Sequence, residues 1–367
     1  MLILLTTILF VGALTVPAAA QYGQLKWYYT TGGGVGNPAV SNGVVYVGSY
    51  DHNVYALDAT TGAKVWNYTT GNEVYSPAVA NGVVYVGSFD NNTYALNATT
   101  GAKLWSYTTG GLVFSSPAVS NGVVYVGSGD RNVYALDATT GAKLWSFTTG
   151  GYVDSSPTVA NGVVYVGSDG HNVYALDATT GAKVWNYTTG NNGSPLLAVA
   201  NGVVYVGSFD NNTYALNATT GAKLWSYTTG GTITVSPVVS NGVVYVESSD
   251  RNVYALDATT GAKVWNYTTG SDVLSSPAVA NGVVYVGSLD HNVYAINAAT
   301  GVKLWSYMTG GEVCSSPAVV NGVVYVGSGD NVYAIGNASG GGFIPGFEVT
   351  FAVIALAVAA YAVSRRR

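Results

Sequence analysis

The sequence predicts an all-β protein, an eight-bladed β-propeller of four-stranded antiparallel blades, and three observations carry that expectation. A block reading Asn-Gly-Val-Val-Tyr-Val begins at Asn42, Asn81, Asn121, Asn161, Asn201, Asn241, Asn281 and Asn321, a period of about forty residues. A second block, Ala-Leu-Asp-Ala-Thr-Thr-Gly-Ala-Lys-Val-Trp at 56–66, returns with its tryptophan at Trp105, Trp145, Trp185, Trp225, Trp265 and Trp305, and Trp27 stands alone near the start. Composition is the third: 8 % charged residues, 48 Gly and 29 Tyr suit pleated sheet and tight turns and leave little for helix. Repeats of this length stack on one shared core, so the 367 residues read as one repeat domain rather than two or three.

Each strand of a unit is legible in turn. In residues 74–109, Pro-Ala-Val near Pro77 is a short apolar strand and Ala-Asn-Gly at 80–82 is a turn, because Asn-Gly accepts the positive φ of a two-residue hairpin. Gly-Val-Val-Tyr-Val-Gly-Ser is the second strand, broken by Gly-Ser-Phe-Asp, and Asn-Thr-Tyr-Ala-Leu is the third. Asn-Ala-Thr-Thr-Gly-Ala turns the chain again, and Lys-Leu-Trp-Ser-Tyr-Thr-Thr is the outermost strand. The last unit stops after Asn-Val-Tyr-Ala-Ile at 331–335 with neither Thr-Gly nor Trp. Leu-Lys-Trp-Tyr-Tyr-Thr-Thr at 25–31 supplies the missing outer strand, which removes the open edge and closes the ring.

The frame Ala56, Asp58, Thr61, Gly62 and Trp66 and its copies resemble the tryptophan-docking repeat of the quinoprotein (PQQ-like) propellers, over residues 23–336. The resemblance implies that all eight tryptophans are structural, each packed flat between neighbouring blades, with Asp, Thr and Gly fixing the turn that presents it. A large aromatic supplies the burial between wedges, and Gly lets the turn bend without a side-chain clash.

The two ends carry their own signals. Residues 2–16 are apolar and Ala18–Ala20 offers a cleavage site before Gln21, so residues 1–20 read as a secretory signal. The propeller is expected over 21–337 and a Gly-rich linker over 338–346. Residues 347–367 read as a membrane span, apolar through Val363, with Arg365, Arg366 and Arg367 at its cytoplasmic end. Pro345-Gly346-Phe347, an apolar helix and an Arg cluster resemble the PGF-CTERM sorting signal of archaeal surface proteins. That family implies removal of the helix and a lipid anchor, and with or without processing the chain is held outside the cell membrane.

Function is written less plainly. A net charge of -5 with no basic cluster outside the last three residues excludes a nucleic-acid footprint. Cys314 is the one cysteine, which excludes an internal disulfide, and it is expected as a buried or half-buried small residue. The residue before Asn-Val-Tyr or Asn-Thr-Tyr runs His52, Asn91, Arg131, His171, Asn211, Arg251, His291, a three-blade cassette that points to duplication. Histidines three blades apart read as loop residues, not metal ligands.

Variation concentrates on one face, where the fourth-to-first and second-to-third connections meet. Glu73, Tyr75, Phe114, Tyr152, Asp154, Asp272 and Glu312 form a candidate recognition face there. They are joined by Asn191, Asn192, Thr232 and Thr234, with Tyr50, Phe89, Asp169, Phe209 and Leu289 from the other loops. Aromatic platforms among carboxylates suit a sugar or protein ligand, and drift in loops that do not hold the fold gives the same pattern. Nine sequons, at Asn67, Asn91, Asn97, Asn186, Asn192, Asn211, Asn217, Asn266 and Asn337, are candidate glycan acceptors in an exported chain. Quinoprotein dehydrogenases hold pyrroloquinoline quinone and calcium, many with a vicinal cysteine pair, in a pocket built by long insertions. This chain has neither Cys-Cys nor insertions, so no catalytic residue, cofactor or metal is expected. The reading is a non-catalytic, surface-anchored binding or scaffold module for an envelope protein or glycan. A structural coat protein and a quinone-dependent oxidoreductase with a degenerate site are the alternatives.

Overall fold

A computed structural model describes residues 23–190 and 193–336; the leader, the linker, the span, Asn191, Asn192 and Asn337 lie outside the described residues. Eight four-stranded antiparallel sheets are arranged as blades. Blade 1 takes Ala39–Ser41, Val44–Gly48, Asn53–Asp58 and Lys64–Thr69 from the axis outward, and blades 2 to 7 repeat that order. Blade 8 is a composite of Ala318–Val320, Val323–Ser328 and Asn331–Gly336, completed on its outside by Gln24–Thr30, with Gln24 opposite Gly336.

Sheets stacked face to face explain the apolar runs. Val45, Tyr46 and Val47 are consecutive and all buried, because a neighbouring blade covers each face of the second strand. Only the outermost strand shows alternation. The hairpin turn has Asn42 at φ 49° and Gly43 at φ 75°, both positive as the tightest hairpin requires. In the other turn Asp58 Oδ1 accepts the amides of Thr60 (3.0 Å) and Thr61 (2.8 Å) and the Thr61 hydroxyl (2.9 Å). Ala59 N donates to Gly43 O, so both turns share one face of the disc, called here the turn face.

The docking turn receives a tryptophan as well as presenting one. Trp66 lies on the turn glycine of the next blade, where a Cβ on Gly101 would meet its ring at 2.8 Å, and Gly62 is the seat of Trp27. Trp66 Nε1 and the Tyr46 hydroxyl, from the fourth and second strands of one blade, both donate to Ala98 O of the next (2.9 and 3.1 Å). Trp27, Trp105, Trp145, Trp185, Trp225 and Trp265 make the same forward bond. Blade 8 has no docking turn, so Trp305 sits on Gly23 instead and is less buried than the rest. Among the described residues neither its Nε1 nor the Tyr285 hydroxyl finds a carbonyl, unlike their counterparts in the other blades.

Candidate recognition face

The face opposite the turns is built from carboxylates that belong to the fold and side chains that do not. Asp130 Oδ2 accepts Gly110 N (2.7 Å) and the Tyr134 hydroxyl (2.5 Å), and its Oδ1 accepts Asn132 N (3.0 Å). Burial alone would raise its pKa, but these donors outweigh it and hold the carboxyl below the usual range. Asp51, Asp90, Asp210, Asp250 and Asp290 do the same in their blades. These six staple the second-to-third loop to the fourth-to-first loop before it.

The variable residues contribute their main chains to that frame and little else. Glu73 O accepts Phe89 N (3.0 Å), Tyr152 O accepts Asp169 N (2.9 Å) and Asp272 O accepts Leu289 N (2.9 Å), so the side chains are free to differ. Next to each is a buried Val or Ile that anchors the loop, such as Val74, Val113, Val153 and Ile233. The face therefore tolerates variety without loss of fold.

Two features stand side by side in the sector of blades 1 to 4. Tyr50, Tyr75, Phe89 and Phe114 form one aromatic cluster, with centroids 5.3 Å (Tyr50–Tyr75), 5.1 Å (Tyr75–Phe89) and 4.3 Å (Phe89–Phe114) apart. Burial, then its hydrogen bond with Tyr50, raises the Tyr75 phenol well above its ordinary value. Next to it, Arg131, Gly150, Gly151, Tyr152, Asp169 and Gly170 line an open cleft of 310 Å³, with the Arg131 guanidinium 5.9 Å from the centre of the Tyr152 ring. Tyr152 is 50 % exposed. Asp154 stands nearby with its pKa raised, by burial first and by Asp169 second. Asp272 and Glu312 lie across the ring on blades 7 and 8. The predicted face residues thus share one face, but only part of them come together.

Three positions correct or extend the sequence reading. Cys314 is exposed, not buried: it occupies the loop position of Tyr75, Phe114 and Asp154, after the buried anchor, where side chains leave the core. Burial of its sulfur and then Glu312 still hold the thiol above its ordinary value. Asp169 is not one of the stapling aspartates. Gly170 fills that place in blade 4, which frees Asp169 to accept the Ser194 hydroxyl (3.1 Å) beside the cleft. Comparing the Ser-x-Asp register of the loops would have shown the shift.

Glu247 was passed over altogether. It replaces the glycine that ends the second strand in the other seven blades, such as Gly127, where a Cβ would meet Val153 at 2.5 Å. Its carboxyl is fully buried with neither oxygen bonded, and burial pushes its pKa well above the usual carboxylate range. The neighbouring blades bond across this seam, as Val113 N does to Ser88 O (3.2 Å); among the described residues Val273 and Ser248 make no such bond. Blade 6 also has Val235 where blade 3 has Ser115, whose hydroxyl bonds Gly127 N and O. His52 and His291 are exposed and His171 is half-buried, all three at positive φ in their loops.

The repeat model described as outer membrane protein assembly factor BamB matches residues 11–117, 109–197, 173–277 and 268–341. The chain belongs to this PQQ-like propeller family. A second model, the PGF-CTERM motif, matches residues 344–367 and marks an exported, surface-anchored protein. The propeller superposes on BamB from Moraxella catarrhalis with a TM-score of 0.73 at 20 % identity, covering 86 % of this chain and 99 % of that one. A quinohemoprotein alcohol dehydrogenase, ADHIIG of Pseudomonas putida, gives 0.74 at 19 %, covering 86 % and 76 %. A europium-containing methanol dehydrogenase gives 0.73 at 17 %, covering 86 % and 93 %. At these identities the likeness is one of fold, shared alike by an assembly factor and by dehydrogenases. No curated protein matches the sequence.

Proposed function

We propose that this BamB-like propeller is a non-catalytic binding or scaffold module, anchored at the outer face of the cell membrane, that holds an envelope protein or glycan on its variable face. The observation that supports this is the sector of blades 1 to 4. Four clustered aromatics adjoin a cleft lined by an arginine, an exposed tyrosine and the Asp169 carboxylate, with Asp154 nearby, and none of these side chains is one of the stapling aspartates. Flat rings that stack on apolar faces, next to paired donors and acceptors, are what a sugar or a peptide edge requires. Glycans on Asn91 and Asn211, which sit in loops of the variable face, are part of the same proposal, whereas Asn67, Asn186 and Asn266 have their amides tied to neighbours.

The test uses residues 21–340, as wild type and with Tyr75→Ala, Phe114→Ala and Tyr152→Ala combined, on isolated envelope material. Retention of the wild type and loss in the triple variant, at a similar melting temperature, is the expected result. Equal retention of both moves the contact elsewhere on the disc. Retention of neither removes the binding proposal and makes a quinone and calcium titration the next step.

A further inference from the structure

The turn face has a charge and a polarity of its own. All eight lysines of the chain lie on its rim, one per blade, as the first residue of the outermost strand in blades 1 to 7 and as Lys26 in blade 8. Every one is exposed. Beside each stands an exposed apolar side chain, from Val65 at 52 % to Leu304 at 43 % and Leu25 at 41 %. A bulge at this point, between Ala56 and Leu57 in blade 1, leaves the apolar residue unpaired and pointing off the edge. Only Asp58, Asp137, Asp177 and Asp257 oppose the lysines here, each engaged in its turn, while Asn97, Asn217 and Asn297 leave three blades with uncompensated lysine. The opposite face is acidic, with its stapling aspartates plus Glu73, Asp154, Asp169, Asp272 and Glu312 against Arg131 and Arg251.

The chain leaves the propeller on this same cationic face. Gly336 lies against the Asn321-Gly322 hairpin turn, where a Cβ would meet Gly322 O at 3.4 Å, and under the Lys26 side chain. The sorting motif begins eight residues later, at 344. Eight residues span at most about 28 Å, so the tether keeps Gly336 within reach of the membrane and leaves the charge of the disc to decide which face settles there. We infer that the lysine-ringed turn face is a membrane-docking surface, which rests flat on anionic lipid headgroups and directs the acidic, aromatic face away from the cell. Lysine heads reach the headgroups while their stems and the flanking Leu and Val side chains meet the apolar edge of the interface. The inference rests on the anchored reading only for the tether; the ring of charge belongs to the propeller itself.

Two fluorescent labels test it in the full chain reconstituted into vesicles carrying a surface acceptor dye. Cys314, exposed and unique, reports the acidic face, and Thr139→Cys in a Cys314→Ser background reports the turn face. Strands of six residues make the disc roughly 20 Å thick, enough for about a twofold difference in energy transfer between the labels. In vesicles of phosphatidylglycerol and phosphatidylcholine the Thr139→Cys label is expected to transfer more strongly. The difference should collapse in phosphatidylcholine alone, in high salt, and in the Lys103→Gln, Lys223→Gln, Lys303→Gln variant. Equal transfer from both labels in every lipid overturns the docking face and leaves the anchor standing. Transfer from neither overturns both. A glycan on Asn97 or Asn217 in protein from its native cells also overturns it, because those turns lie in the docking plane.

Discussion

Glutamine at position 247 keeps the shape of Glu247 and removes its proton, which makes it the sharpest test of the seam between blades 6 and 7. The folded carboxyl has its pKa raised by burial from an ordinary 4.5. Above that value the unfolded chain releases the proton and the folded chain keeps it, so the native state binds more protons than the unfolded one. Stability therefore declines with rising pH, by up to about 1.4 kcal/mol for each unit until the folded pKa is passed. Below the unfolded pKa both states are protonated and the penalty vanishes. Wild type and Glu247→Gln should match within about 1 kcal/mol at pH 4, where each buries an imperfectly bonded polar group. Their denaturant midpoints should then separate in favour of the variant between pH 5 and 7. Glu247→Gly with Val235→Ser, which restores the residues of blade 3, should behave like the glutamine variant and show no Glu247 slope. Curves that run parallel from pH 4 to 7 would refute the reasoning, since they would mean that Glu247 has an ionisable partner or reaches water.

Three further outcomes follow from the docking geometry and the staples. Trp145→Ala should cost about 3–5 kcal/mol in chemical denaturation, and Trp305→Ala distinctly less, because Trp305 is more exposed and has no forward bond among the described residues. Gly43 and Gly62 both have positive φ, but a Cβ on Gly43 meets nothing within 4 Å while one on Gly62 meets Trp27 at 2.6 Å. Gly43→Ala should thus cost about 1 kcal/mol, and Gly62→Ala about 1–3 kcal/mol more from overpacking. The stapling aspartates have depressed pKa values, so their stabilisation is present above an ordinary 3.8 and is lost as pH falls through the folded values. Asp130→Asn should flatten the acid limb of a stability profile below pH 4, opposite in sign to the Glu247 effect.

The repeat made the architecture legible because each blade states the same solution. Asn-Gly demands its hairpin, and a tryptophan after Thr-Gly has no place in a blade except the next seam. Blade 8 was legible for the complementary reason that its missing strand stands alone at the other end, and Gln24–Thr30 fills that gap. What the pattern hid was partnership. Asp130 and Asp154 look alike in sequence, yet one holds three donors and the other stands beside a second carboxylate, a difference set by loop register. Glu247 was lost inside a motif that otherwise reads as constant, since a single Gly-to-Glu change matters only once the neighbouring blade is in place. The lysine rim escaped for the opposite reason, as one unremarkable charge per repeat becomes a surface only when eight repeats form a circle.

Pairing of Thr30 with Asn331, some three hundred residues away, also sets the order of events in synthesis. The strand that finishes the last blade is made first and has no mate until the chain has gone all the way round. Local hairpins form within each unit in microseconds, but this contact waits on the whole circuit and carries the entropy of the longest loop in the molecule. During that wait the arc ends in two unsatisfied edges of matching register, and any second chain at the same stage offers them equally good partners. Dilution, or one chain at a time crossing a membrane, favours self-closure over interlinked rings. Concentrated refolding should therefore yield dimers joined through Gln24–Thr30, with the same blades and the same spectra as the monomer.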